Sequence, residues 1–339
     1  MRTKMRILAV TNMYPTPQHP TSGIFVEQQI KSLRQIGLDV DVFIVDRASK
    51  GMGAYWGLSR QLRARVASFQ PDVVHVMYGG VIADRTAYAV GQRPVVVSFC
   101  GSDLLGEPLA GSVRKLLAGY GVLASHRAAR KAHSIVVKSK NLQEALPDDV
   151  NRLKIRIIPN GIDLERFKPL DRETCRAQLG WHAHRFHVLF PNPAGASCKR
   201  PDLARAAVET LNGLGTNAEL HQLSGVPHDQ VAVWLNASNV LLLTSLTEGS
   251  PNIVKEALAC DLPVVSVEVG DVSERLREIE GCYLALSEPG DLAAKLHMVH
   301  SGHGRVPGRV KMQELSLERV ALRLRECYSE LLESFERQG

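Results

Sequence analysis

Residues 241–267 read LLLTSLTEGSPNIVKEALACDLPVVSV, and the fold follows from this stretch. It opens on an apolar run, Val240 to Leu243, and closes on another, Leu262-Pro263-Val264-Val265-Ser266-Val267, as strands buried in a parallel sheet do. Between them a helix start is written in Ser250, a good N-cap, and Pro251, whose missing N–H costs nothing at the first helical position. The unit is therefore strand, loop, helix, strand. Its helix presents the backbone N–H groups of Asn252, Ile253 and Val254 beyond the carboxyl end of the first strand, where open α/β sheets bind ligands. An anion suits that place. Glu248 lies in the loop before the cap. Glu256, four residues after Asn252 and on its face of the helix, has two readings, one as a ligand and one as an acid favourable to the helix dipole.

With this context the string EGSPNIVKEALACDLPVV resembles the E-x7-E element of retaining, nucleotide-sugar-dependent glycosyltransferases of the GT-B fold, in particular the GT4 group. The resemblance implies that Glu248 holds hydroxyls of a donor sugar. It gives the diphosphate to the backbone of Gly249, Ser250, Pro251, Asn252 and Ile253, and the ribose hydroxyls to Glu256.

Composition is compatible with such an enzyme. At 339 residues and 45% apolar content the chain has room for two domains. No run approaches the roughly 18 apolar residues of a membrane span. The opening MRTKMRILAVTNMYP reads as a first strand rather than a signal peptide, so a cytoplasmic protein is expected. The six cysteines have no metal-ligand spacing and suit reduced thiols. His182, His184 and His187 form the one histidine cluster, and no metal site is assigned. A formal charge of +6 favours phosphate-bearing small molecules or a membrane surface over nucleic acid, for which no signature is present.

Along the first half, strands recur with helices between them: Arg6–Thr11, Val40–Val45, Val73–Val76, Pro94–Phe99, His133–Val137 and Ile155–Ile158. This βα alternation predicts a parallel sheet. No G-x-G-x-x-G follows any strand, which argues against a dinucleotide oxidoreductase. Gly23, ending Thr21-Ser22-Gly23, is either an ordinary loop glycine or, as TSGIFVEQQ resembles the family's first loop, a close approach to the donor phosphates. Cys100-Gly101-Ser102-Asp103 resembles the family's H-G-x-D, with Cys100 standing where the histidine would be. Asp103 is a candidate to orient an acceptor hydroxyl or to organise the loop. The basic segment 112–131, with Arg114, Lys115, Arg127, Arg130 and Lys131 beside Leu116, Leu117, Val122 and Leu123, is a solvated helix face or a surface for anionic lipid at the inner face of the membrane.

IPNGID with Phe167 and Pro169 resembles the family's interdomain junction and sets a boundary between domains 1–167 and 168–315, with a final helix 316–336 returning to the first. In the second half Lys199 falls where the family keeps a lysine on the diphosphate. The family's arginine would fall at Pro193 or Ala194, which leaves Arg200 as the nearby substitute. Gly225 and Val226, after the strand Ala218–Leu223, are candidates for the nucleotide base.

The resemblance therefore implies two doubly wound, Rossmann-like α/β domains facing across a cleft, and a metal-independent retaining transferase. Its donor is a UDP- or GDP-type nucleotide-diphosphate sugar with no other cofactor, its acceptor a hydroxyl on a lipid-linked or polysaccharide molecule. Lys199, Glu248 and Asp103 are the catalytic candidates. A sugar-nucleotide epimerase on the same fold and a degenerate nucleotide-sugar binder are the rivals.

Overall fold

The computed structural model describes residues 4–106, 112–192, 197–302 and 304–337, without the side chains at 48, 52 and 112–115. Two compact units emerge, one of 1–161 with 317–339 and one of 162–316. The division falls at Gly161/Ile162 rather than at 167/168. Ile162, Leu164 and Phe167 are the reason: all three are buried in the core of the second unit.

The first unit is a six-stranded parallel sheet, β1 (Arg6–Thr11), β2 (Asp39–Ile44), β3 (Val73–Val76), β4 (Val95–Phe99), β5 (Ser134–Val137) and β6 (Ile155–Ile157), in the order β2-β1-β3-β4-β5-β6. The second is a five-stranded parallel sheet, β7 (Phe186–Pro191), β8 (Ala218–Leu223), β9 (Val240–Leu243), β10 (Val264–Val267) and β11 (Tyr283–Ala285), in the order β11-β10-β9-β7-β8. Each is doubly wound. In both, the strand order reverses beside the first strand, between β1 and β3 and between β7 and β9, so each unit has a crevice at the carboxyl ends of those strands.

Strands buried on both faces explain the continuous apolar runs of the sequence. Along β3, Val74 and Val76 pack with Leu58, Leu62 and Ile82 on one face, while Val73 shares the other with Val320 and Leu324 of the final helix Leu317–Glu336. The helix over 112–131 forms as read. Three of its basic residues are paired: Arg127 and Lys131 with Asp84 at 3.1 and 3.6 Å, and Arg130 with Asp149 at 2.7 Å, while the side chains of Arg114 and Lys115 lie outside the described ones. Leu116, Leu117, Tyr120 and Leu123 remain exposed. No helix among the described residues is long and apolar enough to cross a membrane.

One polar chain runs through the first core. His75, fully buried, lies 2.6 Å from the Tyr328 hydroxyl through Nδ1 and 2.7 Å from Ser98 through Nε2, tying β3 and β4 to the final helix. Burial, and then the Lys138 ammonium, depress its pKa to about 3. An unfolded histidine titrates near 6.5, so below that pH the unfolded chain takes up a proton that the folded chain refuses, and stability is lost as pH falls from about 6.5 toward 3. The stability difference between wild type and His75→Asn, measured by urea unfolding, should therefore shrink by about 2 kcal/mol between pH 7 and pH 5. A pH-independent difference would contradict a neutral, buried His75.

Candidate active site

In the second unit, residues following β7 and β9 meet at the reversal of strand order. Lys199 ends the short turn Ser197–Lys199, and Glu248 lies in the loop after β9. The Lys199 ammonium donates to Glu248 Oε1, which also accepts from the Ser245 hydroxyl at 2.8 Å, and both side chains of the ion pair are more than four-fifths buried. The two loops are laced together: Leu246 N–H donates to the Cys198 carbonyl at 2.8 Å, and the Thr244 hydroxyl to the Lys199 carbonyl at 2.7 Å. The pair is thus fixed by backbone and not only by its own attraction.

The helix after Glu248 runs Asn252–Ala259, with Pro251 in the cap position. Ser250 is not the cap. Its hydroxyl donates to Asp271 at 2.9 Å and accepts from the buried Lys255 ammonium at 3.1 Å, so it braces the loop sideways. Asp271 in turn accepts from Arg275 at 2.8 Å. Gly270, at φ +58, completes the brace: a Cβ there would lie 2.5 Å from the Gly249 carbonyl oxygen. These contacts fix Gly249 and the loop that leads into the helix Asn252–Ala259.

Glu256 is 9% exposed, and its Oε1 lies 3.5 Å from His228 Nε2. Arg166 donates to His228 Nδ1 at 2.7 Å. A guanidinium only donates, so Nδ1 accepts and the ring presents its Nε2 proton to the carboxylate. His228 escaped the sequence reading; its place three residues after Gly225 at the end of β8 was the available signal. Gly225 itself turns at φ +66 with open space around it, and Val226 packs on the core beneath. Arg200 does not join Lys199. It caps the helix Pro201–Gly213 at φ +56 and its guanidinium is held by Asp202 at 2.8 Å, because that acid follows two residues later at the helix start. Pro193 and Ala194 lie outside the described residues.

In the first unit the Asp103 carboxylate accepts backbone N–H groups from Gly79 at 2.9 Å, Cys100 at 3.0 Å and Gly101 at 2.7 Å. Burial raises its pKa against these bonds. Both carboxylate oxygens take part in these bonds, which tie the loop after β4 to the end of β3. Lys138, buried behind it, feels the charge of Cys100 and Asp103 while burial lowers its pKa. Gly23 has a packing reason of its own, since a Cβ would meet the Met13 carbonyl at 2.4 Å. At the β1/β3 reversal lies a cavity of about 430 Å³ lined by Asn12, Arg47, Tyr55, Tyr78, Ser102 and Tyr120, among others. The Asn12 amide oxygen is buried there without a hydrogen-bond partner.

A buried cation–carboxylate pair at a helix N-terminus, with a second carboxylate one turn along, can hold an anion and sugar hydroxyls at once. Comparison with known proteins gives the family and the fold. The sequence model of Glycosyltransferase Family 4 matches residues 22–166, and that of Glycosyl transferases group 1 matches 194–301. The chain is a GT4-like glycosyltransferase of the GT-B fold. TuaC of Bacillus subtilis (strain 168), named as a teichuronic acid biosynthesis glycosyltransferase, is 26% identical, the match covering 79% of this chain and 82% of that one. Sucrose-phosphate synthase from Thermosynechococcus elongatus superposes with a TM-score of 0.74 at 18% identity, over 98% of this chain and 100% of its own. Anabaena HepE, solved in complex with UDP, superposes at 0.68 and 18% identity, over 96% and 100%.

In this glycosyltransferase the brace behind Glu248 is open to test. Gly270→Ala combines a left-handed backbone with a clash against Gly249, and strain of that kind costs about 1–3 kcal/mol. The expected result is a lowered melting temperature together with at least tenfold slower sugar transfer; unchanged transfer would show that the loop does not depend on Gly270.

Proposed function

We propose that this glycosyltransferase moves a sugar, with retention of anomeric configuration, from a UDP- or GDP-type nucleotide diphosphate to a hydroxyl acceptor. The observation that carries the proposal is the Lys199–Glu248 pair set at the N-terminus of the helix Asn252–Ala259, with Glu256 buried beyond it. In this reading Lys199 and the first-turn amides take the diphosphate, whose charge rises as it leaves, and no metal is needed there. Glu248 grips the donor sugar and Glu256 the ribose. The departing phosphate receives the acceptor proton in a front-face attack.

The acceptor belongs in the Asn12 cavity. The unpartnered amide oxygen of Asn12 calls for a hydroxyl donor, and Tyr55, Tyr78 and Tyr120 offer the aromatic faces and phenols that suit a sugar ring. The name of TuaC supports a polysaccharide acceptor, and the HepE complex supports a UDP donor.

The two acids separate the roles. A carboxylate accepting from two ribose hydroxyls contributes about 1.5–3 kcal/mol per bond. Glu256→Gln should raise the Kd of the free nucleotide diphosphate about tenfold or more in calorimetric titration. Glu248→Gln should leave that Kd nearly unchanged and cut turnover of the whole donor, because the sugar is no longer held for attack. Equal losses of nucleotide affinity in both variants would sink the donor-site assignment. Release of nucleotide without acceptor, accompanied by an epimerised sugar, would favour the epimerase.

A cytoplasmic location with peripheral contact at an anionic membrane belongs to the same reading, and it rests on the exposed Leu116, Leu117, Tyr120 and Leu123. At low salt the protein should sediment with anionic vesicles more than with neutral ones, and replacing the three leucines by serine should abolish this. Equal recovery with both vesicles would reject the contact.

A further inference from the structure

Away from the donor site, toward the amino ends of β7 and β8, the second unit brings together three side chains. His187 pairs with Glu219 in register across the two parallel strands, and Leu189 with His221, so His187, Glu219 and His221 share one face of the sheet. One ligand atom from each lies within 4.8 Å of the others, and His187 Nδ1 is 2.7 Å from His221 Nε2. The cluster His182, His184 and His187 of the sequence is thus not the one the fold assembles. His182 contributes only its carbonyl, which is 2.7 Å from His187 Nε2.

That carbonyl decides the tautomer of His187. A carbonyl oxygen can only accept, so Nε2 carries the proton and the neutral ring turns the Nδ1 lone pair toward His221 and Glu219. A histidine whose far nitrogen is tied to a backbone carbonyl while the near one faces a carboxylate and a second imidazole has the outer support typical of metal ligands. Burial opposes the charged form of both rings, taking His221 down to about 4. Trp181 stacks on His221 with centroids 3.5 Å apart and planes 10° from parallel, covering one side of the site.

We infer that His187, Glu219 and His221 bind a zinc-class divalent cation through two imidazole nitrogens and one carboxylate, with the remaining position open to solvent. Two imidazoles on a tetrahedral zinc place their nitrogens about 3.3 Å apart, given Zn–N bonds of about 2.0–2.1 Å, so the rings must part slightly from their present hydrogen bond. His221 can supply that movement, for it is half-buried and stands on the edge strand β8. Glu219 is held by Arg185 at 3.1 Å, a pair exposed enough for the guanidinium to withdraw. The N₂O donor set suits zinc, cobalt or nickel over calcium or magnesium. Lys199 and Glu248 follow the carboxyl ends of β7 and β9, so the cation would pin the edge strand and not enter the transfer reaction.

The full-length protein, freed of metal by chelation and dialysis, tests this by Co²⁺ absorption spectroscopy and by melting with and without Zn²⁺. We expect one Co²⁺ per chain with a visible ligand-field band, and a melting temperature raised by Zn²⁺. His221→Gln keeps an N–H donor for His187 Nδ1, so it should melt like wild type without metal yet lose the band and the Zn²⁺ shift. Glu219→Gln should weaken Co²⁺ binding about tenfold or more. Failure of the wild type to bind one equivalent, or unchanged affinity in either variant, would overturn the assignment.

Discussion

The reversal of strand order between β7 and β9 is the constraint on which the candidate site depends. The chain leaves these adjacent strands toward opposite faces of the sheet, which opens a crevice at their carboxyl ends that no helix fills. Lys199 and Glu248 are separated by 49 residues in sequence, yet each follows one of the two diverging strands, so the topology alone makes them neighbours. The hydrogen bonds from Leu246 to Cys198 and from Thr244 to Lys199 then convert proximity into a fixed geometry.

The first unit repeats the architecture and uses it differently. Its reversal lies between β1 and β3, where Asn12 and Gly79 line the cavity. There the carboxylate, Asp103, has both oxygens engaged by backbone amides, and the cavity is lined by three tyrosines, a serine and an amide together with Asp103 and Arg47. The second unit thus carries an ion pair at its reversal, and the first a cavity rich in aromatic rings and hydroxyls.

Local patterns carried most of the fold in the sequence. Strands buried on both faces leave unbroken apolar runs, and helices between them leave caps and periodicity, so β9, β10 and the helix between them could be read from 27 residues. The position of Lys199 was legible because it lies in a loop next to a strand. What the sequence hid is what depends on long-range packing. Ser250 has the right chemistry for an N-cap, but Asp271 and Lys255 compete for its hydroxyl, and neither competition is visible in a local string. The Arg200–Asp202 pair joins residues two apart, and the resemblance gave no sign of it. His228 and the His187–Glu219–His221 group became visible only once the end of β8 and the register of β7 against β8 were known.

A largely buried ion pair such as Lys199–Glu248 contributes little to stability, since desolvation offsets most of the attraction. Its value lies in exchange. Either charge left alone in this crevice would be costly, so without a ligand each serves as the partner of the other. Under the proposed function an arriving diphosphate would take over the lysine while a sugar hydroxyl took over the carboxylate, and neither group would pass through an unpaired state. The surrounding brace of Ser245, Gly249, Gly270 and Asp271 holds the loop in place during that exchange, so binding energy is not drawn into reordering the backbone. Glu256, set against His228, would work in the same way under that proposal: the Nε2 proton that faces it now would give way to hydroxyls of a ligand without leaving the carboxylate bare.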